Sequence, residues 1–473
     1  MFIQQLYTNC LAEAAYYIES NGEAAIIDPL RETDQYVALA ESRNAKIKYV
    51  FETHFHADFV SGHQDLAEKT GAVIVYGPTG MQTGFKMLVA HDHEVFKLGK
   101  VSLEVLHTPG HTMESSCFLL SDENNKATAI FTGDTLFIGD VGRPDLAQHV
   151  IAELTEEKLA GHLYDSLRNK IMPLSDDLIV YPGHGAGSAC GKNMSKETTD
   201  TLGHQKKVNY ALNPSLTREA FIASVLSGLT PPPGYFPQNV LLNIHGYEPL
   251  DVVMQRGLSA LDAETFETIV MEEHAVIIDT RDAQEFAAGF IPDAINIGLN
   301  GSFAVWVGTL IPEVKQKIVL VVNEGKEQEV VTRLSRVGYD GAMGFLKGGV
   351  DAWKKSGKPV DTIQSVSADE LFNRMQKGNL NILDVRKKSE YNAEHLLEAV
   401  NAPLDYIHHS EVVLYKDQTY YVHCAGGYRS MTYISILKAL GYHNLIDVRG
   451  GITAMKATGK FTFSEYVPQS SML

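Results

Sequence analysis

Cysteine is scarce in this chain, since its 473 residues include only Cys10, Cys117, Cys190 and Cys424. So few thiols exclude a disulfide framework as the source of stability. Positive charge is also in deficit, because 40 Lys and Arg residues stand against 58 Asp and Glu residues, for a net charge of −18. This balance argues against a surface for nucleic acid or an anionic membrane. Any positive group that binds an anionic substrate must therefore be local.

Long apolar runs are missing as well. No segment approaches the roughly 20 apolar residues of a membrane-spanning helix, and the N-terminus lacks the basic and apolar segments of a secretory signal. Apolar residues still make up 44% of the chain and charged residues 21%, which is typical of globular domains. We therefore expect a cytoplasmic protein of several domains, since a chain of this length exceeds one core.

Residues 1–240 alternate short apolar runs with turn residues and helical patterns. Six runs predict buried strands: GEAAIIDP, KIKYVFET, GAVIVYGP, VSLEVLHTPG, KATAIFTGD and DLIVYPGH. Three segments predict helices: SGHQDLAEKTG, AELTEEKLAGHLYDSLRNKI and SLTREAFIASVLSG. This order is typical of a layered α/β domain, which we expect to end with a proline-rich linker over Gly228–Asn239.

The rest of the chain contains an internal repeat. AVIIDTRDAQEFAAGFIPDAINI aligns with LNILDVRKKSEYNAEHLLEAVNA, so that Asp279 matches Asp384. Both copies predict the order strand, helix, strand, helix over a length that suits one small domain. We therefore predict two α/β domains, over residues 258–357 and 360–473, and call them the first and second repeats.

Five polar residues of the first domain come just after predicted strands. They are His54, His56, His111, Asp134 and His184. Because the strand ends of an α/β sheet meet at one edge, we expect these side chains to converge. Imidazoles and carboxylates suit zinc or non-haem iron, and the lack of a nearby cysteine pair argues against a structural thiolate site.

The motifs THFHAD, TPGHT, TGDTLF and YPGHG resemble the metal motifs of the metallo-β-lactamase superfamily, in the same order. That resemblance implies an αββα sandwich with the site on its rim. Glyoxalase-type thioester hydrolases of this superfamily hold two metal ions and have a histidine directly after the aspartate of the first motif. This chain has Phe59 there, so a second metal site would retain only Asp58 and His184.

The pattern is more similar to the persulfide dioxygenases, which resemble these hydrolases but hold one Fe(II). Their ligands, carried over to matching positions, are His54, His111 and Asp134, a triad that leaves positions for a substrate sulfur and O₂. The remaining residues of the motifs are then expected to orient ligands and water: His56, Asp58 and His184. In a zinc hydrolase His56 would instead bind metal.

Three residues near these motifs are candidate substrate contacts. Arg143, in GDVGRPDL, resembles the arginine with which the dioxygenases bind a substrate carboxylate; the alternative is an ion pair with Asp140 or Asp145. Tyr181 precedes the PGHG turn. Cys190 follows His184 closely in sequence and is either a sulfur acceptor or a buried structural cysteine.

The segment TYYVHCAGGYRSMTYISILKALGY predicts a strand, a loop and a helix, with Cys424 at the strand end. Glycines let backbone N–H groups point at the sulfur, and the helix N-terminus favours a thiolate. Arg429 suits an anionic donor such as thiosulfate. Cys-x5-Arg phosphatases have a related loop, but here four residues, not five, separate cysteine from arginine.

The flanking segments ILDVRKKSEY and LIDVRGGITAMKATGK resemble the rhodanese family, whose catalytic cysteine maps to Cys424. The family's Asp-x-Arg and Gly-Gly elements match Asp384, Arg386, Gly450 and Gly451. This implies rhodanese-like domains with parallel sheets. In the first repeat Asn323 and Glu324 stand where the cysteine should be, so we predict a degenerate, inactive domain.

Together these resemblances imply Fe(II)-dependent oxidation of a low-molecular-weight persulfide, such as glutathione persulfide, by O₂ to sulfite. One Fe(II) per chain is expected, coupled to rhodanese sulfur transfer with thiosulfate or sulfite in sulfide detoxification. We also expect a homo-oligomer, either a dimer or a tetramer. The alternatives are a zinc-dependent glyoxalase II-like thioester hydrolase and a non-catalytic sulfur carrier.

Overall fold

A computed structural model describes residues 1–146, 155–229, 231–409 and 412–467. The chain divides into two compact units, residues 1–252 with 334–338 and residues 253–333 with 339–473. Within the described residues, no helix combines the length and the apolar character needed to cross a membrane.

The first unit contains two six-stranded sheets whose strands neighbour one another in chain order. The first sheet consists of β1 (Phe2–Thr8), β2 (Glu13–Ser20), β3 (Glu23–Ile27), β4 (Lys46–Glu52), β5 (Val73–Tyr76) and β6 (Leu88–Val89). The second consists of β7 (Val95–Leu98), β8 (Val101–His107), β9 (Ser116–Ser121), β10 (Ala127–Gly133), β11 (Ile179–Pro182) and β12 (Asp200–Thr201). The six predicted strands are confirmed as β3, β4, β5, β8, β10 and β11.

Helices lie between and after these strands in the sequence. They are α1 (Asp34–Ser42), α2 (His63–Thr70), α3 (Glu156–Ser166), α4 (Leu202–Val208), α5 (Arg218–Leu226), α6 (Phe236–His245) and α7 (Leu250–Gly257). The three predicted helices are confirmed as α2, α3 and α5, although positions 152–154 of one prediction lie outside the described residues. The predicted linker was wrong in its last residues, because α6 begins there. Pro237 is tolerated because it lies in the first turn, where no N–H bond is lost.

The alternation of side chains along β2 shows how the layers are built. Tyr16 belongs to the core between the two sheets, together with Phe131 of β10. Its neighbour Tyr17 points the other way and packs with Tyr36 of α1. Side chains of α3 and α5 cover the outer face of the second sheet in a third cluster. The order helix, sheet, sheet, helix confirms the predicted αββα sandwich.

The two repeats each form a five-stranded parallel sheet. The first contains β13 (Ala260–Leu261), β14 (Val276–Asp279), β15 (Ile295–Asn296), β16 (Ile318–Val321) and β17 (Ala342–Leu346), in the order β13-β17-β16-β14-β15. The second contains β18 (Gln364–Val366), β19 (Asn381–Asp384), β20 (Ala399–Asn401), β21 (Tyr420–His423) and β22 (Leu445–Val448), in the order β18-β22-β21-β19-β20. The identical strand order confirms the repeat and the prediction of parallel sheets.

Helices connect the strands of both repeats. The first repeat has α8 (Ala263–Glu273), α9 (Ala283–Ala288), α10 (Phe303–Leu310), α11 (Glu327–Arg336) and α12 (Gly349–Lys355). The second has α13 (Ala368–Met375), α14 (Lys388–Ala393), α15 (Tyr428–Ala439) and α16 (Gly451–Thr458). Helical crossovers of this kind are what parallel neighbours require.

Candidate functional site

Three of the predicted ligands meet at one edge of the sandwich. His54 follows β4, His111 follows β8 and Asp134 follows β10. All three are buried, and one ligand atom from each lies within 4.8 Å of the others. The structure therefore brings together the same 2-His-1-carboxylate set that the resemblance to the dioxygenases implies.

Hydrogen bonds on the far side of each imidazole set its orientation. Nδ1 of His54 lies 2.9 Å from Oγ1 of Thr53, whose hydroxyl donates to Oδ2 of Asp28 at 2.8 Å. Nδ1 of His111 lies 2.8 Å from the carbonyl oxygen of Arg143. Because both partners can only accept there, each Nδ1 carries the proton and each Nε2 keeps its lone pair. Both rings are thus prepared to bind a cation through Nε2.

The carboxylate of Asp134 is the clearest sign that a cation belongs here. Among the described residues, neither of its buried oxygens has a hydrogen-bond partner. Nε2 of His111 lies 3.5 Å from Oδ2, and Nε2 of His184 lies 3.6 Å from Oδ1. A Cβ atom on Gly183 would come within 2.7 Å of Oδ1. Since an unpartnered buried carboxylate is costly, these residues fit a divalent cation held by His54, His111 and Asp134.

The protonation of His54 agrees with a ligand role. Burial lowers the pKa of His54 well below its ordinary value, and the nearby rings of His56, His111 and His184 lower it further. A neutral imidazole is the form that binds metal ions.

The imidazole of His56 lies next to two buried carboxylates. Its Nε2 lies 3.1 Å from Oδ1 of Asp28 and 3.4 Å from Oε2 of Glu52. Although burial lowers it, these carboxylates raise the pKa of His56 well above its ordinary value. Its Nδ1 has no hydrogen-bond partner among the described residues. The contacts with the two carboxylates support an orienting role, and that role stays a prediction.

Two residues predicted to remain from a second metal site, Asp58 and His184, form a separate group with Cys190. Ligand atoms of Asp58, His184 and Cys190 lie within 4.8 Å of one another, and all three are buried. Nε2 of His184 lies 3.4 Å from Oδ2 of Asp58. Burial raises the pKa of the Cys190 thiol, and the charges of Asp58 and Asp134 raise it further. Cys190 is therefore a buried thiol next to the candidate metal centre, and its role as a sulfur acceptor stays a prediction.

Arg143 forms the ion pair that was the alternative to substrate binding. Its Nε and Nη2 donate to the two oxygens of Asp145 at 2.7 and 2.6 Å, and the pair is buried. Its backbone N–H also donates to the carbonyl of Cys190 at 3.0 Å. A substrate carboxylate would have to share the guanidinium with Asp145, and this role stays a prediction.

Tyr181 lies in the aromatic core between the sheets. Its ring stacks on Phe131 at 5.1 Å and meets Tyr16 edge-on at 5.3 Å. Tyr181 belongs to none of the three groups of buried potential metal ligands in the described residues. Its predicted contact with substrate stays untested.

Sequence reasoning missed several residues that support the site. Asp28 directly follows β3, so the same strand-end position that singled out Asp134 would have found it. Asn243 of α6 had no such signal. Its amide nitrogen donates to the carbonyls of His56 and Phe59, each at 2.8 Å, and its oxygen accepts from the N–H of Ser61 at 2.9 Å. One buried side chain thus holds the loop that carries the first motif.

Replacing Asn243 by alanine should destabilise the first domain by about 2–4 kcal/mol, because three buried backbone groups lose their partner. The free energy of unfolding, measured in urea by circular dichroism, checks this. The matched control is Leu241→Ala in the same helix, where the side chain is 47% exposed and the loss should stay below about 1 kcal/mol. Equal losses in the two variants would contradict this role of Asn243.

The cysteine loop of the second repeat lies between β21 and α15. Cys424 is buried, and the N–H of Gly427 donates to its sulfur at 3.1 Å. The loop is packed so tightly that a Cβ atom on Gly451 would lie 2.2 Å from the Cys424 carbonyl oxygen. Gly451 also has a φ of +54°, which disfavours other residues. These features explain the Gly-Gly element and support the predicted thiolate site.

Arg429 forms a bidentate ion pair with Glu390. Its Nη1 and Nη2 donate to the two oxygens of Glu390 at 2.5 and 2.9 Å. Glu390 lies on α14. An anionic donor would have to share this guanidinium, and the predicted role of Arg429 stays untested.

The first repeat has the same Asp–Arg ion pair as the second repeat but no cysteine in the corresponding loop. Arg281 donates to Asp279 at 2.9 and 2.6 Å, as Arg386 does to Asp384. The strand pairing places Val322, and not the predicted Asn323, at the position of Cys424, because Val321 pairs with Asp279 as His423 pairs with Asp384. Asn323 is the next residue, and its amide lies 3.4 Å from Glu285. A buried ion pair is thus preserved while the nucleophile is lost, which agrees with the predicted inactivity.

The fold and these sites define a metallo-β-lactamase-fold domain followed by two rhodanese-like domains. Residues 8–184 match the metallo-beta-lactamase superfamily, and residues 262–356 and 367–458 each match the rhodanese-like domain. The chain belongs to the metallo-β-lactamase superfamily.

Three known proteins illustrate the relationship. A probable hydroxyacylglutathione hydrolase of Schizosaccharomyces pombe is 33% identical, over 34% of this chain and 58% of that protein. A second probable hydroxyacylglutathione hydrolase of the same organism is 31% identical, over 39% of this chain and 68% of its own length. The crystal structure of a metallo-beta-lactamase from Staphylococcus aureus is 30% identical with a TM-score of 0.63, and covers 73% of this chain and 98% of its own. The chain thus spans somewhat more than half of the first relative.

Proposed function

We propose that the first domain uses one Fe(II) and O₂ to oxidise the terminal sulfur of a low-molecular-weight persulfide to sulfite. The observation that carries this proposal is the buried set of His54, His111 and Asp134, with ligand atoms within 4.8 Å. Phe59 packs on His56 with ring centres 4.2 Å apart, where a two-metal hydrolase has a further ligand. Bound iron would supply electron transfer to O₂ and open positions for substrate.

The residues of the chain prepare this reaction. The Nδ1 protons of His54 and His111 are held by Thr53 and by a backbone carbonyl, so that both Nε2 lone pairs would be available to a bound cation. Phe59 is buried and packs on His56, so it would add an apolar side chain beside the candidate metal ligands. The proposed reaction consumes one persulfide, one O₂ and one water, and it releases one thiol, one sulfite and two protons.

We propose that the second repeat transfers sulfane sulfur through Cys424. Its thiolate attacks the outer sulfur of thiosulfate, the S–S bond to the inner sulfur breaks, and sulfite leaves with the electron pair. The Gly427 N–H at 3.1 Å stabilises negative charge on the sulfur. A thiol or sulfite then accepts the sulfur from Cys424. The two activities together would serve sulfide detoxification.

A zinc-dependent thioester hydrolase is the second candidate. It is favoured by the group of Asp58, His184 and Cys190, which offers three ligand atoms for a second ion, and by the hydrolase names of the relatives. In that enzyme Cys190 would replace the ligand that Phe59 lacks.

Metal analysis by mass spectrometry, combined with O₂ uptake on glutathione persulfide, tests the proposal. We expect about one iron per chain and O₂ uptake that matches the sulfite formed. Hydrolysis of an S-acyl glutathione serves as the comparison reaction. Two zinc ions per chain with rapid thioester hydrolysis and no O₂ uptake would favour the hydrolase instead.

Replacing Phe59 by histidine should create a second metal site, because an imidazole joins Asp58 and His184. We expect the metal content to rise from about one to about two ions per chain. The control is Phe59→Leu, which removes the ring without adding a ligand and should leave the content unchanged. An unchanged metal content in Phe59→His would mean that this position does not decide between one and two ions.

A further inference from the structure

The middle of the helix that follows Cys424 is covered on every side. Eight successive residues of α15, from Ser430 to Leu437, are buried. A helix on the surface of its own sheet normally buries one face and exposes the other. Here the first repeat packs on the remaining face. For example, the N–H of Asn296 donates to Oγ of Ser435 at 2.9 Å.

The side chain of Tyr428, the first residue of this helix, packs against a loop of the first repeat. The hydroxyl of Tyr428 donates to the carbonyl of Gly298 at 2.8 Å. Cβ atoms on Gly298 and Gly301 would lie only 3.1 and 2.9 Å from the Tyr428 ring. The corresponding positions of the second repeat hold Pro403 and Tyr406, on the alignment that matches Asp279 with Asp384. The two glycines therefore belong to the first repeat alone, and they leave the space that the tyrosine ring needs.

A second contact connects the first repeat to the cysteine loop through Asp447. Nε2 of Gln284, on α9 of the first repeat, donates to Oδ2 of Asp447 at 2.9 Å. The other oxygen of Asp447 accepts from Oγ of Ser430 at 2.9 Å. That same hydroxyl oxygen lies 3.8 Å from the sulfur of Cys424. Gln284 is thus connected to Cys424 through two buried side chains.

We propose that the first repeat, which has no catalytic cysteine, is a positioning partner of the second. Its Gly298–Gly301 loop and Gln284 hold the first turn of α15, and thereby hold the Gly427 N–H against the Cys424 sulfur. This inference rests on the proposed sulfur-transfer role of Cys424. It explains why the first repeat keeps its fold and its interface after losing its nucleophile.

Several charged or titratable groups surround Cys424 and contribute to its reactivity. Arg429 on α15 is paired with Glu390 of α14, and Asp447 lies on β22. Burial raises the pKa of Asp447, and burial lowers the pKa of the adjacent His423. The Asp384–Arg386 pair lies at the end of β19. None of these groups belongs to the Gly298–Gly301 loop, so substitutions there leave the charges unchanged.

The test measures the alkylation rate of Cys424 by iodoacetamide against pH, by mass spectrometry of its peptide in the full chain. In Gly301→Ala the added methyl group should displace Tyr428 and weaken the Gly427 N–H contact. We expect the pH profile to move to higher pH and the rate at neutral pH to fall by up to about tenfold. Tyr428→Phe, which removes only the hydroxyl bond to Gly298, should shift the midpoint in the same direction.

The matched control is Gly289→Ala, which adds the same methyl group to the first repeat but points it at Val360, 3.3 Å away. Its profile should equal that of the unmodified protein. If Gly301→Ala does not fold, the alkylation profile of Tyr428→Phe tests the positioning role instead. The positioning role would be overturned if the folded Gly301→Ala and Tyr428→Phe variants both had the alkylation profile of the unmodified protein. Failure of the proposed function would appear differently, as sulfur transfer that survives Cys424→Ser.

Discussion

Replacing Asp134 by alanine should abolish both metal binding and O₂ uptake. Asp134 supplies the only carboxylate of the proposed triad, and among the described residues its oxygens have no other hydrogen-bond partner. We expect the rate of persulfide-dependent O₂ uptake to fall by more than about 100-fold, because even a residue that only orients a metal ligand costs 10–100-fold. Iron content by mass spectrometry and an O₂ electrode check this result.

Folding and catalysis can be separated in this experiment. The metal-free Asp134→Ala protein should unfold at the same temperature as the metal-free parent or a higher one, since it loses an unpartnered buried carboxylate. Asp176→Ala is the matched control, because this side chain is 67% exposed and pairs with Lys206. It should keep both iron and activity. Unchanged O₂ uptake in Asp134→Ala would disprove the triad.

Replacing Cys424 by serine should abolish sulfur transfer and leave O₂ uptake on added persulfide intact. A serine hydroxyl at this position is neither ionised at neutral pH nor a sulfur carrier, so no covalent intermediate can form. We expect sulfite release from thiosulfate to fall by more than about 1,000-fold, since the nucleophile of the step is lost. The two activities are measured on the same preparation.

Cys117→Ser provides the control for loss of a thiol. Cys117 is buried in the sandwich core on β9, and burial raises the pKa of its thiol to about 11. The folded Cys117→Ser variant should retain sulfur transfer. If Cys424→Ser loses O₂ uptake together with sulfur transfer, the rhodanese-like domain takes part in the oxidation step itself.

What the structure adds to the predicted sites concerns the pairing of charges more than the fold. Arg143 and Arg429 were each predicted to meet an anionic ligand, and each is already paired, with Asp145 and Glu390. A guanidinium in a buried position needs a carboxylate to offset its loss of water. Sequence spacing shows that such an arginine lies near a site, but it does not show which carboxylate reaches it.

Cys190 shows a further contribution of the tertiary structure. Its closeness to His184 in sequence predicted a position at the site, and the structure places it in one group with His184 and Asp58. Its burial, and the direction in which the carboxylates shift its pKa, depend on packing against Asp58 and Asp134. Those contacts join parts of the chain that are far apart in sequence, so no local pattern contains them.

The sequence by itself determined the αββα sandwich and the two parallel-sheet repeats, and it predicted that His54, His111 and Asp134 would lie together. Buried strands have a periodic apolar pattern, and residues after their ends must meet at one sheet edge, so local patterns carry this information. Only the tertiary structure decided that Asn243 holds the motif loop and that Gly298 and Gly301 receive Tyr428. These contacts depend on shape and on hydrogen bonds between distant segments, which form only once the chain has packed.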